Sequence, residues 1–99
     1  MKKFKIIILP EAKNDIENIL IYLLNENVWK TLVYRIKNII YSSIFWLEYF
    51  PEKCSFYIED YRRLLVKAYS IFYKIDENNK KVIIYRILHQ SQNYEKYLF

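Results

Sequence analysis

Not one of the 99 residues is glycine. Glycine enters the left-handed backbone region without a steric penalty, and it lets a ligand approach the main chain where a Cβ would block it. Its absence removes whole function classes. A phosphate-cradling P-loop, a dinucleotide fingerprint and a Gly-x-Ser-x-Gly nucleophile elbow all depend on it. Tight turns must be made by other residues, and asparagine, which tolerates that region best after glycine, is the expected substitute. The lone cysteine, Cys54, has no partner for an intrachain disulfide, which suits a reducing compartment. With one cysteine and one histidine, the chain cannot supply the roughly four such ligands of a structural zinc site. No metal or cofactor is expected.

The length predicts a single domain over residues 1–99 with a real hydrophobic core. The longest apolar run, Ile19 to Leu24, is far short of the roughly 18 residues of a membrane span. Lys2, Lys3 and Lys5 before Ile6 to Leu9 mimic the start of a signal peptide, but Pro10-Glu11 cuts the apolar stretch short. A cytoplasmic protein with no membrane partner is expected. Aromatic residues make up 19% of the chain, far too many for a disordered one.

Charge is unevenly placed. Residues 1–60 hold eight basic and eight acidic residues, whereas residues 61–99 hold eight and three, so the net +5 belongs to the second segment. Six of the eleven tyrosines lie there too. Basic charge interleaved with aromatics suits an anionic partner, although lysines fringing a sheet edge have the same composition.

Periodicity orders the elements. Phe4 to Leu9 alternates as a strand with Phe4, Ile6 and Ile8 on one face. Pro10 opens a helix whose stripe is Ala12, Ile16, Ile19, Leu20 and Leu23, and Asn25-Glu26-Asn27 breaks it. A second helix is expected from about Trp29 to Tyr49, with Leu32, Ile36, Ile39, Ile40, Ser43, Leu47 and Phe50 on one face, widened by Val33, Ile44 and Trp46, and Pro51 ending it. Glu52 to Asp60 reads as a loop. Arg62–Ala68, Tyr69–Asp76 and Lys81–His89 read as strands, with a turn at Asp76-Glu77-Asn78-Asn79. The expected fold class is α+β, in the order β-α-α-β-β-β: an antiparallel sheet with a helical hairpin packed on one face.

Three stretches resemble the RelE/ParE superfamily of bacterial toxins: Pro10-Glu11-Ala12-Lys13-Asn14-Asp15-Ile16; Tyr61-Arg62-Arg63-Leu64-Leu65-Val66 running into Tyr69-Ser70-Ile71-Phe72-Tyr73-Lys74-Ile75-Asp76; and Arg86-Ile87-Leu88-His89-Gln90-Ser91-Gln92-Asn93-Tyr94. The resemblance spans nearly the whole chain. It implies the toxin of a type II toxin–antitoxin module, with a cognate antitoxin as partner. One branch, like RelE, cleaves mRNA in the ribosome without a metal; another, like ParE, inhibits DNA gyrase and cleaves nothing.

RNA cleavage needs a base for the 2′-OH, a cation for the phosphorane and an acid for the leaving oxygen. Where nuclease members place an arginine, a lysine and a further basic or histidine side chain, this sequence aligns Ser70, Leu65 and Gln92. None of these supplies charge or a proton near neutral pH. The ParE-like reading, without an enzyme activity, is therefore favoured over an mRNA endonuclease. A rearranged nuclease site would use Arg63, Lys67, His89 and Tyr94. Residues expected to meet target or antitoxin are Arg62, Arg63, Lys67, Arg86, His89, Gln92, Tyr94 and Tyr97. The plainer alternatives are a hydrogen-bonded structural His89, a paired Arg86 tethering the tail or the helical hairpin, and Tyr69 and Tyr73 packed in the core or against an antitoxin.

Overall fold

A computed structural model describes residues 3–99; Lys2, the first residue of the basic run, lies outside them. Strand β1 (Lys5–Ile8) leads into helices α1 (Pro10–Asn25) and α2 (Lys30–Trp46). After a 3₁₀ turn at Pro51–Lys53 come β2 (Phe56–Ile58), β3 (Tyr61–Val66), β4 (Tyr69–Asp76) and β5 (Lys81–His89), and a short helix α3 (Tyr94–Leu98) ends the chain. The strand order is β1-β5-β4-β3-β2. The expected antiparallel sheet is in fact mixed, because β1 runs parallel to β5 with Ile6 beside Val82 and Ile8 beside Ile84. The two-helix crossover supplies the length that a parallel connection needs. The sheet also has a fifth strand: the expected loop at Glu52–Asp60 contains β2, which pairs antiparallel with β3.

The α1–α2 hairpin covers one face. Ala12 and Ile16 of α1 and Ile40 and Ile44 of α2 join Phe4, Val66, Ile71, Tyr73, Val82, Ile84 and Ile87 in the main core. The buried side of α2 is rotated from the expected stripe. Val33 and Ile44 are buried, while Leu32 and Trp46 are exposed. No helix among the described residues is long and apolar enough to cross a membrane.

The other face of the sheet is also apolar, which explains why its strands lack a clean polar side. Tyr61, Phe72 and Leu88 form a second core there, closed by Leu98 of α3. The Tyr61 hydroxyl donates to the Leu98 carbonyl at 3.3 Å.

Two local features depart from regular strand and turn geometry. First, β5 carries a bulge. Tyr73 pairs with Ile84 but Phe72 pairs with Arg86, so Tyr85 is an extra residue. Alternation resets there: Val82, Ile84 and Ile87 face the helices, while Tyr85 and Leu88 face away. Second, among the described residues asparagine supplies one of the four left-handed positions, Asn27 (φ 60°); Glu59, Lys67 and Lys80 are the others. At the Asp76 turn, asparagine acts through hydrogen bonds instead. Asp76 accepts from the Asn79 backbone at 3.2 Å and from its side-chain amide at 2.8 Å, and Lys80 makes the left-handed step.

Candidate functional site

β1 stops at Ile8, so the last residues of β5 have an open edge on that side. Two side chains close it. Asp15, on the second turn of α1, accepts the Ile87 backbone N–H at 2.9 Å and takes a two-pronged bond from Arg86, with Nε to Oδ2 and Nη2 to Oδ1 both at 2.7 Å. Gln92 Oε1 accepts the His89 N–H at 2.7 Å. Arg86 also donates through Nη1 to the Tyr97 carbonyl at 3.3 Å, and its guanidinium lies 5.1 Å from the Tyr97 ring centre. One arginine thus ties α1, β5 and the tail together. The Asp15 hydrogen bond raises the Arg86 pKa above its ordinary value.

Above this clasp is a cleft of about 580 Å³ between α1 and the end of β5. Asn14, Asn18 and Tyr22, four residues apart on α1, form one wall; Tyr69, His89, Ser91, Gln92 and Tyr97 form the other. The Tyr69 and His89 rings meet edge to face at 5.4 Å. His89 Nδ1 accepts the Ser91 N–H at 3.1 Å and lies 2.8 Å from the Ser91 hydroxyl. In the neutral ring this bond places the proton on Nε2.

The opposite face of the sheet is a second surface, cationic and aromatic. The Arg63 guanidinium lies 4.1 Å from the Tyr57 ring centre. Tyr57 in turn packs against Phe72 and Tyr94, each at 5.8 Å. Tyr94 stands edge-on to Phe72 at 5.0 Å, and its hydroxyl shares a 3.1 Å hydrogen bond with fully buried Ser70. Further along, Lys74 Nζ sits 4.3 Å from the Tyr61 ring centre and 3.2 Å from Asp60. Burial works against the Lys74 charge, but the hydrogen bond to Asp60 and the nearby tyrosines outweigh it and hold the ammonium pKa above the ordinary lysine value.

These positions divide the residues that the sequence singles out. Arg63 and Tyr94 belong to the cationic-aromatic face. His89, Gln92, Arg86 and Tyr97 line the cleft on the helix side. Lys67 is in the β3–β4 turn with φ 57°, so it does not share a strand face with Arg63 as the alternation implies. Arg62 is set apart, donating to the Cys54 carbonyl at 2.6 Å and lying 4.1 Å from the Phe56 ring centre, where it fastens β2 to the 3₁₀ turn. Leu65, aligned with the nuclease lysine, is 60% exposed. Sequence reasoning missed Asp15, named only as part of the stretch from Pro10 to Ile16, and Tyr57, assigned to a loop. It also missed the Asn14-Asn18-Tyr22 ladder, whose four-residue spacing was the available signal.

The α+β architecture, a five-stranded mixed sheet with a helical hairpin on one face, fits the small toxins that the sequence resembles. The chain matches the ParE toxin family of type II toxin–antitoxin systems, parDE, over residues 6–94, and it belongs to that family. It is the toxin of such a module. Among solved structures it resembles the toxin–antitoxin complex RelBE2 from Mycobacterium tuberculosis, with a TM-score of 0.62 and 14% identity over 93% of this chain and 97% of that one. No functionally curated protein matches it.

Proposed function

We propose that this toxin arrests growth by binding and inhibiting DNA gyrase in the cytoplasm, with no hydrolytic step, and that an acidic antitoxin neutralises it. The observation that carries this reading is the division of the four nuclease candidates. Arg63 and Tyr94 are on one face, His89 is in the cleft on the other, and Lys67 is in a turn. General acid–base catalysis needs its proton donor and acceptor within about 3 Å of one reacting group. At the position of the nuclease arginine, Ser70 is spent on Tyr94. ParE family membership supports the same target, and the RelBE2 neighbour, a toxin–antitoxin complex, supports an antitoxin partner. The Arg63–Tyr57–Tyr94 surface, a guanidinium over one ring and a second ring edge-on to it, supports a second reading, ribosome-dependent cleavage of mRNA, since cationic-aromatic surfaces hold bases and phosphates.

Gyrase supercoiling assayed with the pure chain, beside primer extension on ribosome-bound mRNA after induction, separates them. Inhibited supercoiling with intact mRNA is expected. Codon-positioned cuts that vanish in Arg63→Ala or His89→Ala would overturn the gyrase reading.

A further inference from the structure

The cleft between α1 and β5 is chemically unlike the cationic face, and it holds four of the residues expected to meet target or antitoxin: Arg86, His89, Gln92 and Tyr97. The carboxylate and guanidinium at its floor, Asp15 and Arg86, are spent on each other and on Ile87. A small anion or cation therefore gains little from the pair. The remaining groups supply donors and acceptors: the exposed Asn14 and Asn18 amides offer both, while the Gln92 amide nitrogen, left over once Oε1 has taken the His89 N–H, and the His89 Nε2–H donate. Around them stand Tyr22, Tyr69 and His89, whose rings offer flat apolar surface. Asparagine and glutamine amides pair with the two-atom edges of bases, and aromatic rings stack on base faces. At about 580 Å³ the space lies within the range of sites that enclose small planar ligands.

An extended peptide fits less well. Strand addition to β5 here would need the N–H groups of Ile87 and His89, and both are already capped. Among the described residues, Arg86 is the one lysine or arginine lining the cleft and it is committed to Asp15, so a base edge and ring face, rather than phosphates, are what the cleft can hold. We propose that the cleft receives one unstacked nucleobase of a single-stranded nucleic acid, held by Asn14, Asn18 and His89. This goes beyond the proposed target and stands or falls separately from it, because it is read by binding rather than by supercoiling.

The test is fluorescence anisotropy of the full chain with two labelled single-stranded DNA probes of equal length and phosphate number, one bearing adenines and one abasic. The adenine probe should bind roughly tenfold tighter, the scale of one stacked base. The double variant Asn14→Ala/Asn18→Ala, both at exposed positions, should reduce that preference to near one, whereas Arg63→Ala, on the opposite face, should leave the preference unchanged. Thermal melting of each variant reports whether it is folded. A second measurement needs no variant: adenosine monophosphate should shift the side-chain amide NMR signals of Asn14 and Asn18. Equal affinity for the two probes would overturn the proposal. So would a preference that survives the double variant, or unmoved amide signals. So, too, would a peptide from the antitoxin that shifts those signals when the nucleotide does not.

Discussion

Replacing Asp15 with alanine tests the clasp. The substitution deletes three hydrogen bonds at once: two from Arg86, which carry charge, and one from the Ile87 backbone. The Asp15 and Arg86 side chains are only 10% and 22% exposed, so water replaces little of what is lost. Removing one member of such a pair costs about 3–5 kcal/mol, and partial access of Arg86 to the cleft puts this case near 3–4. For a domain of this size that is a fall of roughly 15–25 °C in Tm. Urea unfolding should show a lower midpoint at an unchanged slope. Arg86→Met should be similarly destabilising, because it leaves Asp15 buried with one partner. The double variant Asp15→Ala/Arg86→Met should cost less than the sum of the two by at least about 2 kcal/mol. Hydrogen exchange at the Ile87 amide should accelerate in Asp15→Ala. Single-variant costs that add to within about 0.5 kcal/mol, or an Ile87 amide that stays protected, would refute the coupling.

Tyr94→Phe strands the Ser70 hydroxyl in a buried site and should cost about 1–2 kcal/mol in urea unfolding; a smaller loss would show that the Ser70–Tyr94 bond is dispensable. Leu98→Ala, at the edge of the second core, should cost about 2 kcal/mol in urea unfolding, and an unchanged midpoint would rule out the tail as a cover of that core. Burial first, then the neighbouring Cys54, raises the Tyr73 pKa well above its ordinary 10.0, while the hydroxyl donates to the Pro51 carbonyl. Its protonated form is favoured by the fold, so this contribution is complete below about pH 10 and is lost as pH rises toward the folded value. Tyr73→Phe should flatten the alkaline slope of stability, and an identical slope would remove Tyr73 as its source. Association with an acidic antitoxin should slow as salt is added, since the +5 charge steers the encounter; salt-independent rates would exclude steering.

Much of the fold was legible because periodicity survives in short strands. Phe4, Ile6 and Ile8, Leu64 and Val66, and Tyr69, Ile71, Tyr73 and Ile75 all face the helices as alternation predicts. Three features escaped. β2 is a three-residue strand, too short for a period to show. The parallel pairing of β1 with β5 depends on the crossover and leaves no local mark. The orientation of β5 could not be read because Tyr85 interrupts its alternation, so no single face runs from Lys81 to His89. The candidate site was only partly visible for the same reason. The tether suspected at Arg86 is there, and it joins both the tail and α1, but its acid lies 71 residues earlier in the chain. Leu65, Ser70 and Gln92 could be placed on their elements, yet only the fold shows that Ser70 is buried under Tyr94 while Gln92 caps a strand edge.

The pairing of β1 with β5 also sets when the sheet can close. Lys5 lies beside Lys81, so the first strand made has no ladder until the last has left the ribosome. During synthesis the helical hairpin has no finished sheet to cover, and Asp15 waits for an arginine not yet made. Pairing across so long a loop is slow. Closure of the sheet therefore comes late in synthesis, once β5 has been made.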